Sequence, residues 1–439
     1  MKQLNAIIVG AGSRGNKVFA DLMANHETGF TVNGVVETDS VRRLAFRQRY
    51  NVDAGHVFES AEAFLNAPRF ADIVFICTPD RTHFQLCQLI AKAGYDIVLE
   101  KPIATTLSEC VALCDIQRRY GNGIFVAHVL RYSPIFLAVK EILDEGSLGA
   151  IRHIRLIENV GHWHFAHSFV RGPWRRVDES GPIVLTKTSH DLDILQWLMG
   201  ESVRSVTSHG SLSYFRPENA PIGATPKCVD CPRQSDCTYS ATRFYMEPRP
   251  VWPYDVPLGG GVDTLAARRS AIQEGPYGRC VWLSDNDVCD DQVVLLEFDT
   301  GRMATFEMHA NTVENTRELT VLCDHGEISA NVCQDHLVVS RFTGQPDNII
   351  REPIDLPRFG DSHGGGDLNM LLALHEHLTA GKHVDLVTSL ESSLNSHVLA
   401  FLAEQSRNED NAKMLVAEML VPQGVVAPET GAGGERLTA

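Results

Sequence analysis

A chain of 439 residues exceeds the roughly 250–300 at which a single hydrophobic core stops growing, so two domains are expected. A hydrophobic share of 44% and a charged share of 21% are those of an ordinary globular protein, and no apolar run approaches the roughly 20 residues that span a bilayer. A formal net charge of −16 argues against a nucleic-acid partner, which needs Lys and Arg to displace counterions, and keeps the protein dispersed.

The first strand-like run, Leu4–Val9, begins almost at once. It leaves no room for a charged, apolar and cleavable leader, so a cytoplasmic location is expected. Up to residue 128, short β-branched runs at Leu4–Val9, Val32–Glu37, Ile73–Thr78, Asp96–Glu100 and Ile124–His128 alternate with amphipathic segments. That alternation predicts a parallel sheet covered by helices, an α/β Rossmann domain over 1–128. Thr82 with Gln85, and Thr106 with Glu109, fit the capping box, while Gly94 and Gly121 stand where left-handed caps end helices.

Between the first run and the first helical segment stands Gly10-Ala11-Gly12-Ser13-Arg14-Gly15. Gly10 permits a tight turn, Gly12 lets backbone amides approach a pyrophosphate, and Gly15 lets the helix pack on the strand. Ser13 and Arg14 lie at the helix N-terminus that would face the phosphates. The second run ends in Glu37, about twenty residues on, where a carboxylate accepts both ribose hydroxyls and repels a 2′-phosphate. Strand, helix and acid together indicate NAD rather than NADP, with Arg42 and Arg43 as the features that speak for NADP.

Residues 129–422 carry longer alternating runs at Ile151–Val160, Val203–Ser213, Val293–Phe298, Met303–Ala310, Glu318–Cys323 and His336–Arg341. They predict an α+β domain with a large, mostly antiparallel open sheet. Residues 214–290 interrupt the rhythm with Pro, Gly, Cys and aromatics and are read as an irregular insertion. Helical periodicity returns at Leu368–Leu378 and Leu390–Glu404, and 423–439 reads as a loose tail. After the first strand of this domain, the stretch from Gly161 to Arg175 gathers imidazoles, indoles and guanidinium groups. His164, Arg171 and Trp174 suit stacking on a sugar face and bonding its hydroxyls, with a metal site or plain surface as the alternatives.

Eleven cysteines is an odd count. Most lie in apolar settings and read as buried reduced thiols. Cys228, Cys231 and Cys237 have the spacing of soft metal ligands inside the insertion, which lacks an apolar core of its own. A structural zinc is expected there, with Cys280 as the fourth ligand and Cys289 or a histidine as alternatives; free thiols and redox chemistry are the other readings of the cluster.

Three further stretches complete a pattern: Cys77-Thr78-Pro79-Asp80-Arg81-Thr82-His83, Glu100-Lys101-Pro102 and Ser189-His190-Asp191-Leu192-Asp193. Together they resemble the Gfo/Idh/MocA family of sugar and polyol oxidoreductases over most of the chain. The resemblance implies that Thr78, Pro79, His83, Glu100 and Lys101 border the nicotinamide side of the cofactor, and that Asp191 and His363 face the substrate pocket. Oxidation of an alcohol needs a base within hydrogen-bond reach of its hydroxyl, and Lys101 or His190 could serve. Where the family commonly has an aspartate one turn before the histidine, this chain has Thr186, and Lys187 stands three residues before His190. It thus resembles a K-x-x-H-D subgroup; Lys187 is placed in the catalytic set, to orient substrate, to replace the missing acid electrostatically or to bind an anionic substituent, and helical spacing would put Lys187 and His190 on one face. Asp193 reads as a structural acid. The implied function is hydride transfer between NAD and a secondary alcohol of a sugar, inositol or related polyol, in a homodimer or homotetramer. Two alternatives stand beside it: an NAD-dependent glycosidase using transient oxidation, elimination and re-reduction, and a non-catalytic NAD-sensing protein.

Overall fold

A computed structural model describes residues 2–420 except 250, 335, 346–347, 358–362 and 381–387. The expected tail at 423–439 lies outside the described residues. The N-terminal part holds strands β1 (Leu4–Val9), β2 (Phe30–Val36), β3 (Val57–Phe58), β4 (Ile73–Ile76), β5 (Asp96–Leu99) and β6 (Ile124–Val126). They form one parallel sheet in the order β3-β2-β1-β4-β5-β6, the doubly wound arrangement whose order reverses between β1 and β4. β4 and β6 are wholly buried, because helices cover both faces of a parallel sheet.

Local signals explain most helix ends. Thr106 caps the Leu107–Tyr120 helix by accepting from the Glu109 amide at 3.3 Å, and Gly121, at φ +71°, closes it in the left-handed conformation. The capping box expected at Thr82 does not form. Its hydroxyl lies 2.7 Å from both Thr78 Oγ1 and the Pro79 carbonyl oxygen, because a turn at 80–82 precedes the helix.

The second sheet contains β7 (Ile151–Gly161), β8 (Val203–Ser211), β9 (Asp291–Phe298), β10 (Met303–Thr312), β11 (Thr316–Cys323), β12 (Gly326–Asn331), β13 (His336–Arg341), β14 (Ile350–Pro353) and β15 (Met414–Leu415). Their order is β14-β13-β12-β11-β7-β10-β9-β8-β15, and every pairing is antiparallel except β7 with β10. One face packs on helices, including Ser189–Met199 and Leu390–Asn408. The other carries Val293, Leu295, Met303 and Leu322 exposed.

Three contacts lock the two parts. His397, on the Leu390–Asn408 helix, accepts from the Ile103 amide at 2.9 Å. His375, on the Gly366–Thr379 helix, lies 2.6 Å from the Lys2 carbonyl. Asp193 pairs with Arg131, just after β6, through both carboxylate oxygens at 2.6 Å. Both partners are buried, so removing one strands the other charge in an apolar setting. Asp193→Ala should therefore cost about 3–5 kcal/mol, and a denaturant midpoint equal to that of the unaltered protein would show that this pair does not brace the two parts.

Candidate active site

The site is built where β1 and β4 part, at their carboxyl ends. Gly10 has φ +96°, and a Cβ there would meet the Cys77 carbonyl oxygen at 2.7 Å; one at Gly15 would meet the Gly10 carbonyl oxygen at 2.1 Å. These two glycines let the loop press onto β4 and its own helix. Gly12 is different: a Cβ there has nothing within 4 Å. Its outer side faces open space beside the Ser13–Ala20 helical turn, whose first amides have no side-chain cap. Uncapped amides, a positive helix end and an open glycine form a cradle that fits a pyrophosphate. Glu37, at the end of β2, accepts from the Ala11 amide through Oε2 and the Asp39 amide through Oε1, each at 2.9 Å. Oε1 also accepts from the Thr38 hydroxyl at 3.4 Å, while Oε2 keeps a lone pair for a ribose hydroxyl. The residues present thus fit a dinucleotide.

On the far side of β4, Glu100 ion-pairs with Arg14, and Arg14 donates to Asp367 at 2.7 Å. Asp367 in turn lies 2.7 Å from His363 Nδ1. Although burial opposes it, Arg14 and His363 hold the Asp367 carboxyl well below the usual carboxylate range. His83 holds the two motif loops together, with Nδ1 2.7 Å from the Pro102 carbonyl oxygen and Nε2 2.9 Å from that of Thr78.

Lys101 leaves this edge and reaches the second domain, donating from Nζ to the Thr186 carbonyl at 2.6 Å. That carbonyl ends the Ile183–Thr186 helix, where unpaired carbonyls attract a cation. Burial, and then Lys187, pull the Lys101 ammonium down to about 8, against the opposing pull of Glu100 and Asp80. Asp80 is itself buried and accepts from Trp174 Nε1 at 2.9 Å. Burial, and then Lys101 and the histidines His128 and His363, push the His190 imidazole well below its ordinary value. The His190 ring lies 5.4 Å from that of His128 and 5.9 Å from that of His363.

Lys187 does not share a helical face with His190. The Ile183–Thr186 helix ends before it, a new helix starts at Ser189, and Lys187 and Thr188 form the break. From the break, Lys187 pairs with Glu158 at 2.8 Å. Arg317 Nε lies 2.8 Å from both Glu158 and Asp191, so two acids and two bases balance in one buried cluster. His164 sits beside it, 3.1 Å from Asn315, and burial followed by Lys187 depresses its imidazole.

The structure thus brings Lys101, Lys187, His190, Asp191, His164, His363 and Trp174 to one region. Arg171 is not among them. Its guanidinium is spent inside the insertion on the carbonyls of Arg279 and Tyr239, at 2.8 and 2.5 Å. The zinc tetrad is also corrected. Cys228, Cys231, Cys237 and Cys280 line one small cavity, yet among the described residues no three His, Cys, Asp or Glu are grouped to hold a metal ion. Arg171 Nη2, 3.6 Å from Cys228 Sγ, supplies a positive charge there instead.

Sequence reasoning missed Glu158 and Arg317, which face each other across β7 and β11. The signal was present for Glu158. It falls on the inward side of β7 with Ile154, Leu156 and Val160, and an acid at a core-facing position needs a buried partner.

If Gly12 serves a ligand and not the fold, Gly12→Val should leave the unfolding midpoint unchanged and abolish NADH binding measured by fluorescence. Binding retained by that variant would contradict the cradle.

Two family models match the chain: an NAD-binding Rossmann fold of an oxidoreductase family over residues 4–128, and its C-terminal alpha/beta domain over 140–415. YteT of Bacillus subtilis (strain 168), named only as an oxidoreductase, is 24% identical over 384 residues, 83% of this chain and 86% of that protein. An inositol 2-dehydrogenase of Saccharopolyspora erythraea is 30% identical over 140 residues, 31% of this chain and 38% of its own length. Among solved structures, a levoglucosan dehydrogenase complexed with NADH and levoglucosan superposes with a TM-score of 0.70 at 16% identity, covering 94% of this chain and 99% of that one. With both domains matched in order, this chain belongs to the Gfo/Idh/MocA oxidoreductase family.

Proposed function

We propose that this protein is an NAD-dependent dehydrogenase acting on a secondary alcohol of a sugar, inositol or related polyol. The observation that carries the reading is Lys101: a half-buried amine at the carboxyl edge of the parallel sheet, lowered to about 8 and adjoining both domains. When bound, the nicotinamide accepts or returns a hydride. Gly10, Gly12, Ser13, Arg14 and Gly15 hold the pyrophosphate, and Glu37 favours NAD by receiving the ribose hydroxyls. Thr78, Pro79, His83 and Glu100 shape the nicotinamide end. In the oxidation direction neutral Lys101 takes the hydroxyl proton of the substrate, and His190, held neutral by burial, positions that hydroxyl. Lys187, anchored by Glu158, keeps a positive charge near Lys101 and lowers its proton affinity. His164, Trp174, Asp191 and His363 offer the bonding and stacking groups a polyol needs. The exposed apolar residues on the open face of the second sheet support a homodimer or homotetramer. Among the described residues no helix is long and apolar enough to cross a membrane; a cytoplasmic location is part of the proposal.

A panel of myo-inositol, levoglucosan and aryl glycosides with NAD tests the reading. Net NADH formation from a polyol supports the dehydrogenase; aglycone release without net NADH replaces it with the glycosidase. Neither, in a protein that binds NADH, leaves the NAD-sensing reading.

The base must be neutral to act, so oxidation should rise about tenfold per pH unit below about 8 and level off above it. Reduction, which needs the ammonium, should stay level below about 8 and fall above it. Lys101→Met should lower kcat by about two to four orders of magnitude and leave NADH affinity within about threefold; an unchanged pH profile in that variant would remove Lys101 from the proton path. Glu158→Gln takes away an acid that balances Lys187, so the midpoint of the oxidation profile should move toward acid by about one pH unit.

A further inference from the structure

The insertion does more than decorate the second sheet. Its segment 252–260 leaves the substrate region and crosses to the nucleotide-binding domain, touching it at two points. Asp255 ion-pairs with Lys17, one turn beyond Ser13 on the helix that starts at the glycine loop. Gly260, at φ +89°, lies so close to Arg42 that a Cβ there would stand 3.1 Å from Arg42 Cγ. Arg42 occupies the first turn of the helix capped by Asp39, two residues beyond Glu37. At the other end of the segment, the Trp252 indole meets the His164 ring edge-on at 5.0 Å. The segment therefore runs from the substrate side to the helix of the glycine loop and on to the helix that follows the ribose acid.

It is a built element and not a loose loop. Arg268, 1% exposed, gathers its neck: the guanidinium donates to the carbonyls of Tyr245, Tyr254 and Arg249 at 2.7, 2.8 and 3.2 Å and pairs with Asp263. Tyr254 stacks on Phe244 at 4.8 Å. Two buried polar atoms in the seam with the nucleotide domain, Arg42 Nε and Asp255 Oδ1, have no hydrogen-bond partner. Buried polar atoms left this way mark a seam that a further polar group completes, and a ribose or phosphate oxygen supplies the acceptor that Arg42 Nε lacks.

We propose that residues 252–260 form the outer wall of the dinucleotide site, a strap closed over the pyrophosphate and adenosine ribose, and that NAD(H) exchanges only when the strap parts from Lys17 and Arg42. The proposal rests on the dinucleotide reading of the glycine loop. Its consequence is kinetic: closure that must be undone before release makes cofactor exchange slow relative to chemistry.

Displacement of bound NADH, followed by stopped-flow fluorescence, tests it without any substrate. Asp255→Asn opens the Lys17 contact and should speed NADH release about three- to fivefold, the range of a partly exposed ion pair. Were there no strap, freeing the Lys17 ammonium would hold an anionic dinucleotide as tightly or more so, and release would stay equal or slow down. The exchange Lys17→Asp with Asp255→Lys should restore release to within about twofold of the unaltered protein, which loss of a phosphate-binding charge could not do. Replacing 253–260 by two glycines should speed release more than tenfold; should that variant misfold, the single and exchanged variants decide. Release rates alike in the unaltered protein and Asp255→Asn overturn the strap. Failure of the unaltered protein to bind NADH at all is a separate result, which overturns the dinucleotide reading and the strap with it.

Discussion

The contact on which this architecture turns is the bond from Lys101 Nζ to the carbonyl of Thr186, 85 residues away in sequence. A lysine at a strand end is ordinarily solvated and carries a proton at neutral pH. Here the second domain closes over it, and loss of water pulls it down to about 8. Its chemistry is thus a property of the joint between domains. Arg131 with Asp193, the Ile103 amide with His397, and Lys2 with His375 hold that joint shut.

The same joint explains how a chain with Thr186 in place of an acid still presents a charged site. Four ionised groups, Glu158, Asp191, Lys187 and Arg317, neutralise one another next to Lys101. Burial of any one alone would cost several kcal/mol. Together they are affordable, and they leave Lys187 near enough to Lys101 to oppose its charge. Thr186 meanwhile contributes its main chain: a helix of four residues ends there, and its last carbonyl receives the ammonium. A side-chain acid is not needed to orient the lysine when a helix terminus does so.

Some of this was readable before any coordinates. Hydrophobic periodicity located every strand of the parallel sheet but β3, whose two residues, Val57 and Phe58, are too short a run to register. It placed β13 at its observed bounds and β7 and β10 within one or two residues. Local rules failed where a tertiary bond outbid them. Thr82 spends its hydroxyl on Thr78 and Pro79 and caps nothing, and the helical spacing of Lys187 and His190 is void because the chain breaks at 187–188. Arg171 and the four cysteines of the insertion share one failure: residue type suggested ligand contact, but Arg171 turned inward and set its charge against Cys228.

The sequence by itself determined the parallel sheet, the glycine cradle with Glu37, and the placing of Lys101 at a strand's carboxyl end. Those features depend on neighbours a few residues apart, so periodicity and spacing encode them. Only the tertiary structure decided that Lys101 is desolvated, that Glu158 and Arg317 balance Lys187 and Asp191, and that residues 252–260 cross to Lys17 and Arg42. Desolvation and ion pairing depend on which distant segments meet, and no local pattern in the chain carries that information.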